Sequence, residues 1–184
     1  IEWFDLDHVG RSASRFDIDK LQSVNSRYIQ ISDNNFLANM IRGPLTEFCG
    51  RELDTVDMDR ITVAMPELKK RAKTIIQIID NAKFIVSKRP IEIDNNGTQI
   101  ITGDARSLLH ELKIILNEIS QWDLDTIEST IREFATIKNI SLSKIAQPIR
   151  VCLTGTTTSP GIFEVLLILG REESIGRIED VARH

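Results

Sequence analysis

With 184 residues, 41% of them apolar and 27% charged, the chain has the composition of an ordinary globular protein and enough length for one large or two small cores, which excludes a disordered or low-complexity segment. Its net charge of -4 argues against a nucleic-acid partner on totals alone, and its longest apolar run, residues 165–169, is too short to cross a bilayer. Cys49 and Cys152 stand far apart without Cys-x-x-Cys or histidine spacing, so they read as reduced, small apolar residues of a cytoplasmic protein, with no zinc site.

The N-terminus lacks the basic, apolar and small-residue succession of a secretory signal, and Ile1 lies in mid-pattern without a methionine, so the chain reads as a piece of a longer protein. Residues 17–29 place Leu21, Val24 and Tyr28 on one stripe of an amphipathic helix. Residues 34–48, interrupted by Gly43 and Pro44, read as two short helices. Residues 66–84 carry Leu68, Ala72, Ile75, Ile76 and Ile79 on one stripe and read as a single long helix. Residues 91–102 break the period: Asp94-Asn95-Asn96-Gly97 is a turn signal that either joins two short strands or links two domains, and the segment is taken as a linker.

Beyond it, Leu108, Leu109, Leu112, Leu116 and Ile119 mark one helix, and Ile127, Ile131, Phe134 and Ile137 mark another. The second starts at Asp123, with Trp122 placed to staple onto Ile127. Helices over 142–153, 160–169 and 172–182 follow, the middle one capped by Ser159 ahead of Pro160 and stopped by Gly170. The expected fold class is all-α, with helical domains over 31–94 and 95–184 behind a short element over 1–30, and the last domain a helix cage or bundle.

Charge is unevenly spread. Lys69, Lys70, Arg71, Lys73, Lys83, Lys88 and Arg89 are opposed in their stretch only by Asp80, while Lys138, Lys144 and Arg150 are the charged residues of 134–163. Acidic residues collect at 52–59 and 123–133. Such a basic lane suits an RNA backbone, since counterion release rewards local charge; it equally suits the solvated face of a helix. Arg150 sits in uncharged surroundings ahead of the hydroxylated loop Thr154, Thr156, Thr157 and Thr158 and the helix start at Ser159-Pro160. These groups read either as an anion site or as a tight helix-to-helix connection.

No catalytic constellation is visible. His8, His110 and His184 stand alone, and the segment from Gly155 to Gly161 lacks the lysine and preceding strand of a phosphate-binding loop.

Gln147-Pro148-Ile149-Arg150, Leu153-Thr154-Gly155, Ser159-Pro160-Gly161-Ile162-Phe163-Glu164 and Ile175-Gly176-Arg177-Ile178 resemble the end of bacterial glutamyl-tRNA synthetases. Val9-Gly10-Arg11-Ser12-Ala13-Ser14-Arg15-Phe16-Asp17-Ile18-Asp19-Lys20-Leu21 and Asn25-Ser26-Arg27-Tyr28-Ile29 resemble the segment just downstream of that family's catalytic half. The resemblance covers nearly the whole chain and is weakest over 31–120. It implies an anticodon-binding half of an aminoacyl-tRNA synthetase (a ligase of protein biosynthesis), whose missing half uses ATP and magnesium to attach glutamate to tRNA. It also implies a monomer that binds glutamate tRNA, with glutamine tRNA left open, and neither DNA nor membrane.

Carried over residue by residue, the resemblance places Arg150, Arg132, Ser159 and Pro160 at the anticodon bases, with Lys83 standing where the family often has arginine. Lysine lacks arginine's planar two-bond fork, which puts discrimination at the first base in doubt. Thr154 joins this group, and residues 1–30, with Lys20, Asn25 and Tyr28, correspond to a stem-contacting element. Lys69, Lys73 and Lys144 are candidates for the backbone phosphates. Arg132 lies four residues from Glu128, so a surface ion pair is the plain alternative. A helical interaction module docking an acidic partner on the same basic face is the rival of another class.

Val86-Ser87-Lys88-Arg89 is similar to the ATP-binding signature of class I synthetases, but it follows the block starting at Val9, whereas the family's signature precedes that block. No catalytic residue is therefore assigned, and no cofactor is expected on this chain. The isolated chain should support no glutamate-dependent exchange of pyrophosphate into ATP. Detectable exchange by pure chain would place an adenylate-forming site within these residues.

Overall fold

The computed structural model describes residues 17–183; His8, His184 and most of the block starting at Val9 lie outside them. Ten helices make up the described fold: α1 (Ile18–Ile31), α2 (Asn34–Cys49), α3 (Thr55–Arg71), α4 (Ile75–Val86), α5 (Asn95–Ile100), α6 (Gly103–Glu118), α7 (Leu124–Ile137), α8 (Leu142–Thr154), α9 (Ile162–Leu169) and α10 (Arg171–Ala182). No strand occurs among the described residues, and no helix there is long and apolar enough to cross a membrane.

Most helix starts follow from a short oxygen-bearing side chain that accepts an otherwise orphaned amide. Asp17, Asp33, Asp54, Thr74, Asp94, Thr102 and Asp123 each do so three residues ahead. The predicted starts at Asp17 and Asp123 are among them. Asp94 is the instructive one: the expected linker turn is instead the cap of α5, with Asp94 Oδ1 accepting from Gly97 N at 2.6 Å. Gly97 is buried there against Val151 and Ile93, where a Cβ would crowd both, so the glycine serves close helix packing rather than a hairpin.

Two prolines and one break correct the predicted boundaries. α2 runs unbroken through Pro44, and α3 contains Pro66. Each proline removes only one helical bond, and both are exposed, so water can satisfy the freed carbonyl. The single long helix expected over 66–84 is two. Ala72 is extended at ψ 131°, and Thr74 restarts the helix by accepting from Gln77 N at 3.2 Å while Gln77 Oε1 accepts from Lys73 N at 2.7 Å. The pair resembles a capping box and was readable as Thr-x-x-Gln.

α1 packs by its polar face. Asn25 donates to Lys73 O, Ser26 to Ala72 O at 3.2 Å, and Gln30 to Lys69 O, so side chains of α1 bond carbonyls at and just beyond the end of α3. The expected buried stripe is accordingly outside: Leu21, Val24 and Tyr28 are exposed, and Ile29 is the buried member of the helix.

One apolar core runs from Ile29 to Val181. Its polar centre is Arg177 on α10, only 1% exposed. The guanidinium donates to Phe84 O (2.9 Å) and Ser87 O (3.1 Å) at the end of α4, to Leu153 O (2.6 Å) at the end of α8, and to Glu173 Oε1 at 2.6 Å. Beside it Arg89 makes a two-bond fork to Asp180, both bonds at 2.8 Å, lying where any side chain at Gly176 would be.

Arg177→Met should remove all four bonds and strand three buried carbonyls, costing roughly 3 kcal/mol or more of unfolding free energy, because unsatisfied buried groups and broken buried pairs are each expensive. Arg177→Lys should recover less than half of that, since one ammonium cannot span the fork. Urea unfolding followed by circular dichroism reads both.

Candidate nucleic-acid interface

α8 ends at Gly155, whose φ of 77° favours glycine, and whose missing side chain would otherwise run into the backbone of Glu92. Asp94 N donates to Gly155 O at 2.9 Å, so the start of α5 pins the exit of α8. The loop that follows is folded by its own hydroxyls. Thr154 Oγ1 donates to Arg150 O at 2.9 Å, and Thr156 Oγ1 to Thr158 O at 2.7 Å.

Ser159 does not cap α9, as the sequence suggested; that helix starts at Ile162 after Gly161 and has no side-chain cap bond. The Glu164 carboxylate lies over Gly161, answering the positive helix end from within the chain. Ser159 instead sits between two arginines. Its Oγ accepts from Arg150 Nε at 3.0 Å and donates to Pro160 O at 2.7 Å, while its carbonyl accepts from Arg71 Nη1 at 3.3 Å. Among the described residues, neither guanidinium has a carboxylate partner. Burial, with the nearby positive charge of Arg71, holds the Arg150 pKa below its ordinary value while leaving the group charged.

Two adjoining grooves open beside this pair. The larger, about 710 Å³, lies between α4 and the loop after α8 and is lined by Asn81, Lys83, Phe84, Thr154, Ser159 and Phe48, among others. The smaller, about 410 Å³, is bordered by Arg71, Gln77, Asn81, Thr158, Ser159 and Pro160. Hydroxyls and amides line both walls together with the carboxylates of Glu67, Asp80 and Glu92; Arg71 borders the smaller groove and Arg150 reaches its rim through Ser159, a mixed surface that suits a ligand carrying both charge and hydrogen-bonding edges.

The structure thus brings Arg150, Thr154, Ser159, Pro160 and Lys83 together. Lys83 is not a free cation: its Nζ donates to Asp80 Oδ1 at 2.7 Å and stands 5.2 Å from the Phe48 ring centroid. Arg132 makes the alternative ion pair, Nε to Glu128 Oε1 at 2.7 Å, and its guanidinium lies over the Phe163 ring at 5.8 Å. Lys20 is exposed on α1, and Lys144 borders a separate cleft with Thr102 and Gln147.

Lys69 departs most from the basic lane. It is 8% exposed, with Nζ donating to Ser32 O at 2.7 Å and Asn34 Oδ1 at 3.0 Å, where it ties α3 to the α1–α2 turn. Lys70 pairs with Glu67, and Lys73 is exposed. The residues 87–89, similar to an ATP signature, are structural: Ser87 O accepts from Arg177, and Arg89 holds Asp180. Arg71, Asn81 and Phe48 were missed as site residues. Arg71 was visible in the basic run, but its direction depends on the break at Ala72, which the continuous apolar stripe concealed.

The class is thus an all-helical domain with a hydroxyl-lined groove between α4 and the loop leaving α8. The Anticodon binding domain family matches residues 36–182, and the chain belongs to it. Glutamate–tRNA ligase of Rhodopseudomonas palustris (strain HaA2) is 43% identical over 187 residues, covering 99% of this chain and 40% of that protein. Glutamate–tRNA ligase 2 of Chelativorans sp. (strain BNC1) is 41% identical, with 99% and 39% covered. The chain therefore spans well under half the length of these relatives. The crystal structure of a glutamate tRNA ligase from Elizabethkingia meningosepticum shares the fold with a TM-score of 0.80 over 98% of this chain and 35% of that one, at 22% identity.

Lys69→Ala should lower stability by about 1–3 kcal/mol by stranding its buried acceptors, whereas Lys73→Ala should leave it unchanged. Thermal melting of the two variants side by side separates the structural lysine from the solvent-facing one.

Proposed function

We propose that this chain is the anticodon-recognising part of a glutamate–tRNA ligase, reading the loop of glutamate tRNA in the groove beside Arg150 and Arg71. The whole protein, in this reading, is a cytoplasmic monomer that uses ATP and magnesium to attach glutamate, with the catalytic chemistry outside these residues. Whether glutamine tRNA is also charged is decided at the same groove.

The observation that carries the reading is the convergence of two guanidiniums on Ser159 with no carboxylate partner among the described residues. A neutral serine fixes each arginine's position and leaves its charge and remaining N–H groups for an incoming phosphate or base edge. RNA loops are read by unstacking bases and bonding their edges, which needs a concave wall carrying donors and acceptors rather than a flat basic face. The net charge of -4 does not oppose this, because attraction to RNA follows the local field.

Arg150→Ala and Arg71→Ala should each cost about 1–3 kcal/mol, roughly tenfold to a hundredfold, in affinity for glutamate tRNA with its native anticodon, and much less for altered anticodons. Lysine should restore little at a position where the fork is used. Lys73→Ala should weaken all RNAs alike and reduce the salt slope by about 0.7 to 1. Filter binding against glutamate and glutamine tRNAs, with melting as the folding control, measures these effects; unchanged affinity of Arg150→Ala for the native anticodon would make the residue structural.

A further inference from the structure

Phe48, in the last turn of α2, is 49% exposed and stands outside the apolar residues packed on the core. It lines the same groove of about 710 Å³ as Thr154, Ser159 and Asn81. Other large apolar side chains are exposed as well; what sets Phe48 apart is that its half-open ring lies on the groove wall. Tyr28 and Phe36 are also exposed, but neither lines any of the grooves described.

The ring is also held in place. Lys83 Nζ sits 5.2 Å from its centroid and is itself anchored by Asp80, so a cation attached to α4 fixes a ring attached to α2. Three kinds of surface meet at this groove and the smaller one adjoining it: the guanidiniums bonded to Ser159, the amide of Asn81, and the ring of Phe48. A nucleotide presents the matching set, namely a phosphate, a hydrogen-bonding edge and a π-face.

We propose that Phe48 is the stacking platform for one unpaired base of the RNA loop. This rests on the anticodon reading and deepens it by assigning the apolar half of the site. Stacking is sequence-tolerant and uncharged, so it supplies affinity for an unstacked base without adding to the salt dependence. The neighbouring amide and arginines read the base edge.

The test uses the 184-residue chain and anticodon stem-loop RNAs in which each loop position in turn is made abasic. Phe48→Ala should weaken binding to the intact loop by about tenfold, with unchanged melting temperature and unchanged salt slope. Phe48→Tyr and Phe48→Trp should retain binding, while Phe48→Leu should not. At one loop position, removing the base should abolish the difference between wild type and Phe48→Ala. Two results would overturn the assignment: a Phe48→Ala loss equal for every abasic RNA, or a loss that vanishes in a Lys83→Met background, where the ring would only be positioning the lysine. Normal binding by Phe48→Ala would overturn it too. If the wild-type chain binds the loop no better than a duplex of equal charge, the anticodon reading fails, and this inference fails with it.

Discussion

A single buried guanidinium organises the molecule. Arg177 carries a full charge where water is excluded, and the cost of that desolvation is met by one carboxylate and three carbonyls. The carbonyls belong to the C-terminal ends of α4 and α8, where helix dipoles present partial negative charge to a cation. Because a planar guanidinium accepts partners only along its fork, the two helix ends are held at fixed positions relative to α10. The larger groove opens between α4 and the loop leaving α8, and Phe84 and Ser87, whose carbonyls Arg177 holds, line it.

The same economy explains how an acidic chain offers a positive site. Three of the seven cations of the basic stretch are neutralised internally, Lys70 by Glu67, Lys83 by Asp80 and Arg89 by Asp180, while Lys69 is buried among neutral acceptors. Beside the groove, Arg71 and Arg150 are held by the carbonyl and hydroxyl of one serine, with no carboxylate partner among the described residues. Two like charges held near each other make the local field more positive than the net charge alone suggests.

Backbone devices place these side chains. Gly155 lets the chain leave α8 against Glu92, the hydroxyls of Thr154 and Thr156 fold the loop on itself, and the extended residue Ala72 ends α3 so that Arg71 comes within reach of Ser159. The hydroxyls that looked like ligands in the sequence are largely committed to holding the loop.

Local signals decided much of the architecture. Aspartates and threonines ahead of apolar periodicity start the helices, Gly155 and Gly170 end them with positive φ, and the stripe of Leu109, Leu112 and Leu116 is buried as its spacing requires. The motif from Gln147 to Glu164 pointed to the loop where Arg150 and Ser159 meet, because its arginine, serine and proline lie close in sequence. Tertiary structure alone decided which face of α1 is buried, that Lys69 lies inside, that Ser159 holds arginines rather than capping a helix, and that Arg71 and Phe48 border the groove. Periodicity tells which residues share a face of a helix, but not what that face meets. The deciding bonds join residues 88 and 93 positions apart, Arg71 to Ser159 and Arg177 to Phe84, and exist only once the helices between them have packed.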